Sequence, residues 1–227
     1  MSFPITHLRV ADLVALKLNL PDPDAATFLL GALAPDGVHY RPGLVGASQP
    51  NIGATKKASH LCPPGDEPWG QVTDNAGWVA EVQSFLRQHP GDLLAAGYAV
   101  HVLTDIYTNI SIWIDFRKNF PEEAAKGYKS EYYREMADID LFFYQEAASE
   151  RMLRLLPTAT ARDFPGRVTA EEIHAIRDSL FAEYNETYTT YLNQPPADPV
   201  GNKIVTLAQM QRFLEEAAVF SLARIYV

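Results

Sequence analysis

Residues 97–109 read GYAVHVLTDIYTN, a mostly apolar stretch without proline in which His101 and Asp105 stand four apart. That spacing places the two side chains one above the other on a helix. An ionised aspartate on so apolar a helix is costly unless a cation or a proton accompanies it. Two readings satisfy the pattern: a metal ion held by both side chains, or a His–Asp pair hydrogen-bonded to each other or to a neighbouring helix. Gly97, one turn before His101, leaves the same face bare, so another element can approach closely.

Working outward, the break His89-Pro90-Gly91 predicts a helix from residue 92 to about 116, with Leu94, Tyr98, Leu103 and Ile106 facing the core. Residues 75–88 read as a helix before it. Residues 122–155 have few breakers and predict a further long helix, rich in aromatics from Tyr128 to Tyr144. Thr169 and Glu172 form a capping-box pattern ahead of a helix over 173–192, and residues 207–226 give the last one. At the other end, apolar residues from Leu8 to Leu18 predict a first helix with Thr6 as its N-cap. Residues 25–33 predict a second, stopped by Pro35.

From residue 35 to 74 prolines and glycines replace any period. A connection this long is commonly functional, and Tyr40, Leu44, Val45, Ile52, Leu61 and Trp69 predict that it packs on the body of the protein. No strand-like alternation competes anywhere. The expected fold is all-α: one multi-helix domain over residues 1–227, with a long packed loop after the second helix.

Composition narrows the function classes. A hydrophobic fraction of 47% and a charged fraction of 21% provide a sizeable core, and the single Cys62 excludes an internal disulfide. The net charge of −9 opposes attraction to a phosphate backbone, so no long nucleic acid is expected as partner. The most apolar window, residues 93–114, contains His101, Asp105 and Asn109, which argues against membrane insertion. The opening MSFPITHLRV has no secretion-signal pattern, so a cytoplasmic location is expected.

Other residues that could carry chemistry lie earlier. Asp36 follows a helix end in GALAPDGVHY, where Asp after proline also serves as a turn former. His60 ends the run TKKASH behind Lys56 and Lys57, three residues that a solvated loop would equally explain. His7 lies early in the first helix, where a polar face is the simple account. Cys62 reads as a packed thiol. Asp138 and Asp140, in EMADIDLFF, fall on different faces of their helix, so at most one points inward.

The order His7, Asp36, His60, His101, Asp105 resembles the zinc-dependent phospholipase C family, whose wider superfamily includes the fungal single-strand-specific zinc nucleases. There an N-terminal helix supplies a His, a GALAPD-like turn an Asp, an SH-type loop a His, and a long helix an HxxxD pair. The resemblance covers about the first half of the chain. It implies that Asp36, His60, His101 and Asp105 bind one zinc and that Asp105 bridges to a second metal also held by His7. It makes Asp105 and His7 the residues on which catalysis turns. A phospholipase C-like hydrolase of phosphodiesters, acting on a small phosphate-bearing substrate or a phospholipid headgroup, is the implied activity. Lys56 and Lys57 could meet the substrate phosphate as point charges.

The chain departs from the family pattern in lacking a histidine between His101 and His174, and in lacking the tryptophan that supplies the family's mature N-terminal amine. His174 and Asp178 keep a four-residue spacing but read as a solvated helix face. A reduced site of one or two ions follows. Four protein ligands can also complete a closed tetrahedron, so a non-catalytic protein with a structural metal is the alternative.

Overall fold

The computed structural model describes residues 3–43, 52–191 and 199–225. It is helical throughout, and among the described residues the only extended pairing is an isolated bridge between Phe164 and Val168. The helices are α1 (Pro4–Lys17), α2 (Asp22–Gly31), α3 (Ile52–Ser59), α4 (Asn75–Gln88), α5 (Leu93–Thr108), α6 (Ile114–Asn119), α7 (Pro121–Ala125), α8 (Glu131–Gln145), α9 (Glu150–Leu155), α10 (Ala170–Tyr191) and α11 (Leu207–Ile225). No described helix is long and apolar enough to cross a membrane.

α5 is the axis of the molecule. It is apolar on every side and its residues from Tyr98 to Ile106 are all buried, because α1, α2, α4 and α11 surround it. Asp92 starts it by accepting the Ala95 N–H at 3.1 Å, and Asp74 caps α4 in the same way through Gly77. The bare face expected at Gly97 is used by α2: a Cβ there would collide with the Phe28 carbonyl, and one at Gly31 with the Leu94 carbonyl. α2 and α5 therefore cross with backbones in contact.

Several expectations are corrected. α1 begins at Pro4 rather than after Thr6; proline suits the first helical turn, and the freed N–H groups of Ile5 and Thr6 donate to Asp140 at 3.0 and 2.7 Å. The long helix after α4 does not run unbroken. A π-turn over Asn109–Trp113 separates α5 from α6, held by the Asn109 amide on the Val72 carbonyl and the Trp113 indole on the Gly70 carbonyl. The aromatic helix expected over 122–155 is three pieces, since Gly127 adopts a left-handed φ of 56° and Ser130 and Glu146 are extended. The extended Glu146 pairs with Arg9 at 2.6 Å.

Within the supposed loop, Ala34–Tyr40 is a 3-10 turn and Ile52–Ser59 is helical. Leu61 and Trp69 pack on the core as expected, whereas Tyr40 is exposed, and Leu44 and Val45 lie outside the described residues. The Thr169–Glu172 capping box is present, with reciprocal bonds of 2.9 and 3.2 Å at the start of α10.

Candidate metal centre

Each of the five sequence-flagged side chains His7, Asp36, His60, His101 and Asp105 arrives from the element that its motif suggested, except that His60 closes a helix. α3 ends there because Leu61 takes a left-handed φ of 53° and the Cys62 N–H reaches back to the Lys57 carbonyl at 3.0 Å. A leucine in that conformation is strained. The strain is held by Trp78, whose indole donates to the His60 carbonyl at 2.7 Å, and by the Tyr98 hydroxyl, which donates to the Ser59 carbonyl.

The five side chains converge. His60 Nε2 lies 3.3 Å from Asp36 Oδ1, 3.6 Å from Asp105 Oδ2 and 3.3 Å from His101 Nε2. His101 Nε2 lies 3.9 Å from Asp36 Oδ2 and 3.8 Å from Asp105 Oδ2. Asp105 turns its other oxygen to His7, with Oδ1 3.6 Å from His7 Nε2. The His7 ring stacks on His101 at 3.7 Å, and its Nδ1 is buried without a hydrogen-bond partner among the described residues. His60 and His101 side chains are 1% exposed and Asp105 3%, against 15% for Asp36.

Tautomers follow from what the other ring nitrogens touch. His101 Nδ1 is 2.7 Å from the Ala32 carbonyl, delivered by the close α2–α5 crossing, and a carbonyl can only accept. His60 Nδ1 is 3.1 Å from the Lys56 carbonyl and 2.9 Å from Ser59 Oγ. Both rings thus carry a proton on Nδ1 and turn Nε2 inward as the nitrogen that can ligate, the orientation imposed on metal-binding histidines by outer partners. Bonds of about 2.0–2.2 Å to a tetrahedral zinc place neighbouring ligand atoms roughly 3.3–3.6 Å apart, so the separations here fit such an ion with little adjustment.

The electrostatics agree. Burial pushes the His60 imidazole down to about 3, reinforced by Lys56, and burial together with His101 holds His7 well below its ordinary value. Both stay neutral and able to ligate. Burial raises the Asp105 carboxyl against the pull of His101. Burial would raise Asp36 too, but the Lys56 ammonium and the neighbouring His39 and His60 side chains hold it well below the usual carboxylate range.

Lys56 lies at this centre, its Nζ 2.6 Å from Asp36 Oδ1. Lys57 points elsewhere and donates to the Gly65 and Glu67 carbonyls. Of the carboxylates in EMADIDLFF, Asp140 is buried on the start of α1, next to His7 in the chain, and Asp138 pairs with Arg134. His174 is half-buried rather than solvated, its Nε2 accepting the Ala161 N–H at 3.0 Å. His39 escaped the sequence reading; it stands three residues after Asp36, where a 3-10 turn would bring the two together, with Nε2 3.5 Å from Asp36 Oδ1. No protein-family model matches the chain, and neither the curated proteins nor the solved structures gave a match.

Proposed function

We propose that the protein is a metal-dependent hydrolase of phosphodiesters, built on a phospholipase C and zinc nuclease-like helical frame. The observation that carries this reading is the inward Nε2 atoms of His60 and His101 facing carboxylate oxygens of Asp36 and Asp105. Two carboxylates and two imidazoles ligating through Nε2 balance a divalent cation and offer the oxygen and nitrogen donors that zinc prefers. When bound, such an ion polarises a phosphoryl oxygen and lowers the pKa of a water near it. Asp105 presents one oxygen to the His60–His101 pair and one to His7, the arrangement needed for a carboxylate shared between two ions. The resemblance in motif order supports a phosphodiester as substrate, either a small phosphate-bearing molecule or a phospholipid headgroup.

The test has two parts. Protein prepared without chelator is analysed for zinc, manganese, iron and nickel, and then assayed on bis(p-nitrophenyl) phosphate and on a glycerophospholipid. At least about one equivalent of metal and chelator-sensitive turnover are expected. Metal below about half an equivalent refutes the reading.

A structural ion is the second reading, favoured by the near-complete burial of His60, His101 and Asp105. It predicts that chelation unfolds the chain, because the binding energy is then folding energy. A catalytic ion in a preformed helical frame leaves with only a modest fall in melting temperature.

A further inference from the structure

The candidate centre has an outer layer. Residues three apart eclipse in a 3-10 turn, and residues four apart share a face in an α-helix. The turn therefore presents Asp36 with His39, and α3 presents Lys56 with His60. Each element gives one inner side chain and one outer one, and the outer two meet, Lys56 Nζ lying 2.9 Å from His39 Nε2. The same ammonium sits 2.6 Å from Asp36 Oδ1 and 5.1 Å from the centroid of the Trp69 ring. Lys56 is 10% exposed in its side chain and His39 35%, so the layer leads from the buried centre to solvent.

An ammonium has three hydrogen-bond donors. Asp36 and His39 take two, and among the described residues the third finds no acceptor. Asp36 Oδ1 has a second lone pair, so its bond to Lys56 leaves it able to ligate, as carboxylate ligands braced by an outer donor do. Charge points the same way. With the carboxylates of Asp36 and Asp105 ionised, the Lys56 ammonium and one divalent cation leave a single positive charge, which a singly charged phosphodiester would cancel.

We infer that Lys56, held in place by His39, contacts a non-bridging oxygen of the anionic phosphoryl group at the metal, making Lys56 a substrate-binding residue and His39 a positioning residue. The inference rests on the metal-dependent reading above.

Inorganic phosphate is the probe, with zinc-loaded protein in calorimetric titration and zinc content measured in parallel. Wild-type protein is expected to bind phosphate. K56Q should bind it about ten-fold or more weakly with unchanged zinc, K56R should recover part of the loss, and H39Q should fall between K56Q and wild type. If K56Q keeps wild-type phosphate affinity, or loses its zinc, Lys56 is only a brace for Asp36 and the inference fails while the metal reading stands. If wild-type protein takes up no zinc, both fail together.

Discussion

His60 and His101 turn their Nε2 atoms toward each other across 3.3 Å, while each Nδ1 rests on a backbone carbonyl. When neutral, the two rings in that tautomer oppose lone pair to lone pair. A cation between them turns the repulsion into ligation, which makes the pair the least ambiguous feature of the centre.

Asp105 should decide the metal count. Its oxygens face His60 and His7 separately, each at 3.6 Å, so Asp105→Asn weakens one donor shared by both positions. Zinc measured by mass spectrometry should drop by about one equivalent. His174→Gln should retain all of its zinc, since His174 only accepts the Ala161 N–H. Full zinc in D105N with loss in H174Q would show that the ligands are misassigned.

Gly97→Ala tests the coupling between packing and ligation. The added methyl collides with the Phe28 carbonyl and must push α2 away from α5. Overpacking of this kind costs about 1–3 kcal/mol, to be read as a lower melting temperature. The Ala32 carbonyl moves with α2, so His101 loses its outer brace and zinc affinity should fall about 10–100-fold in chelator competition. A destabilised variant with unaltered zinc affinity would detach the crossing from the site.

Asp140 offers a way to separate the two proposed metal positions. It accepts from the Ile5 and Thr6 N–H groups and from the Thr6 hydroxyl, and so fixes the start of α1 beside His7. Asp140→Ala should cost about 1–2 kcal/mol in urea unfolding, the usual loss for a helix N-cap. Zinc titration should show weakened binding where His7 contributes, with the Asp36–His60–His101 position retained. Equal weakening of both positions would count against a separate role for His7.

Cys62 supplies a pH-dependent check. Burial, aided by the Asp105 charge, pushes its thiol up to about 12, so only the neutral form is present at pH 8. Alkylation by iodoacetamide should run about a thousand-fold slower than for an unperturbed thiol and become fast on unfolding. Rapid labelling of the folded protein would contradict the desolvation of this half-buried thiol.

Much of the framework was legible because period and punctuation agree: residues 75–88 and the Thr169–Glu172 box became the elements they suggest, and the apolar run after Asp92 became α5 as far as Thr108. The sequence was silent where tertiary contacts override local preference. The break of the aromatic helix at Glu146 is met by Arg9 from far along the chain, and the π-turn at Asn109 is bonded to Val72. α3 ends in a left-handed Leu61 where a glycine would have signalled the stop. The motif order singled out the five side chains that converge, but His39 carries no signal until its neighbours Asp36 and Lys56 are in place. Lys57 resembled Lys56 in sequence, and only helix phase separates them.

Every converging side chain lies between His7 and Asp105, yet what holds two of them lies well beyond. The Asp36 turn packs tightly on α10, where a Cβ at Gly37 would meet the Glu172 backbone at 3.1 Å, and Arg41 grips Glu172 at 2.6 Å. α1, with His7, waits on Asp140 for its cap. During synthesis all five side chains emerge early and lack these contacts until residues near Glu172 have followed. If the proposed metal binds, its capture would report, in time, that most of the polypeptide has been made and has folded; a chain halted between Asp105 and α10 would carry all five side chains without the contacts that hold two of them.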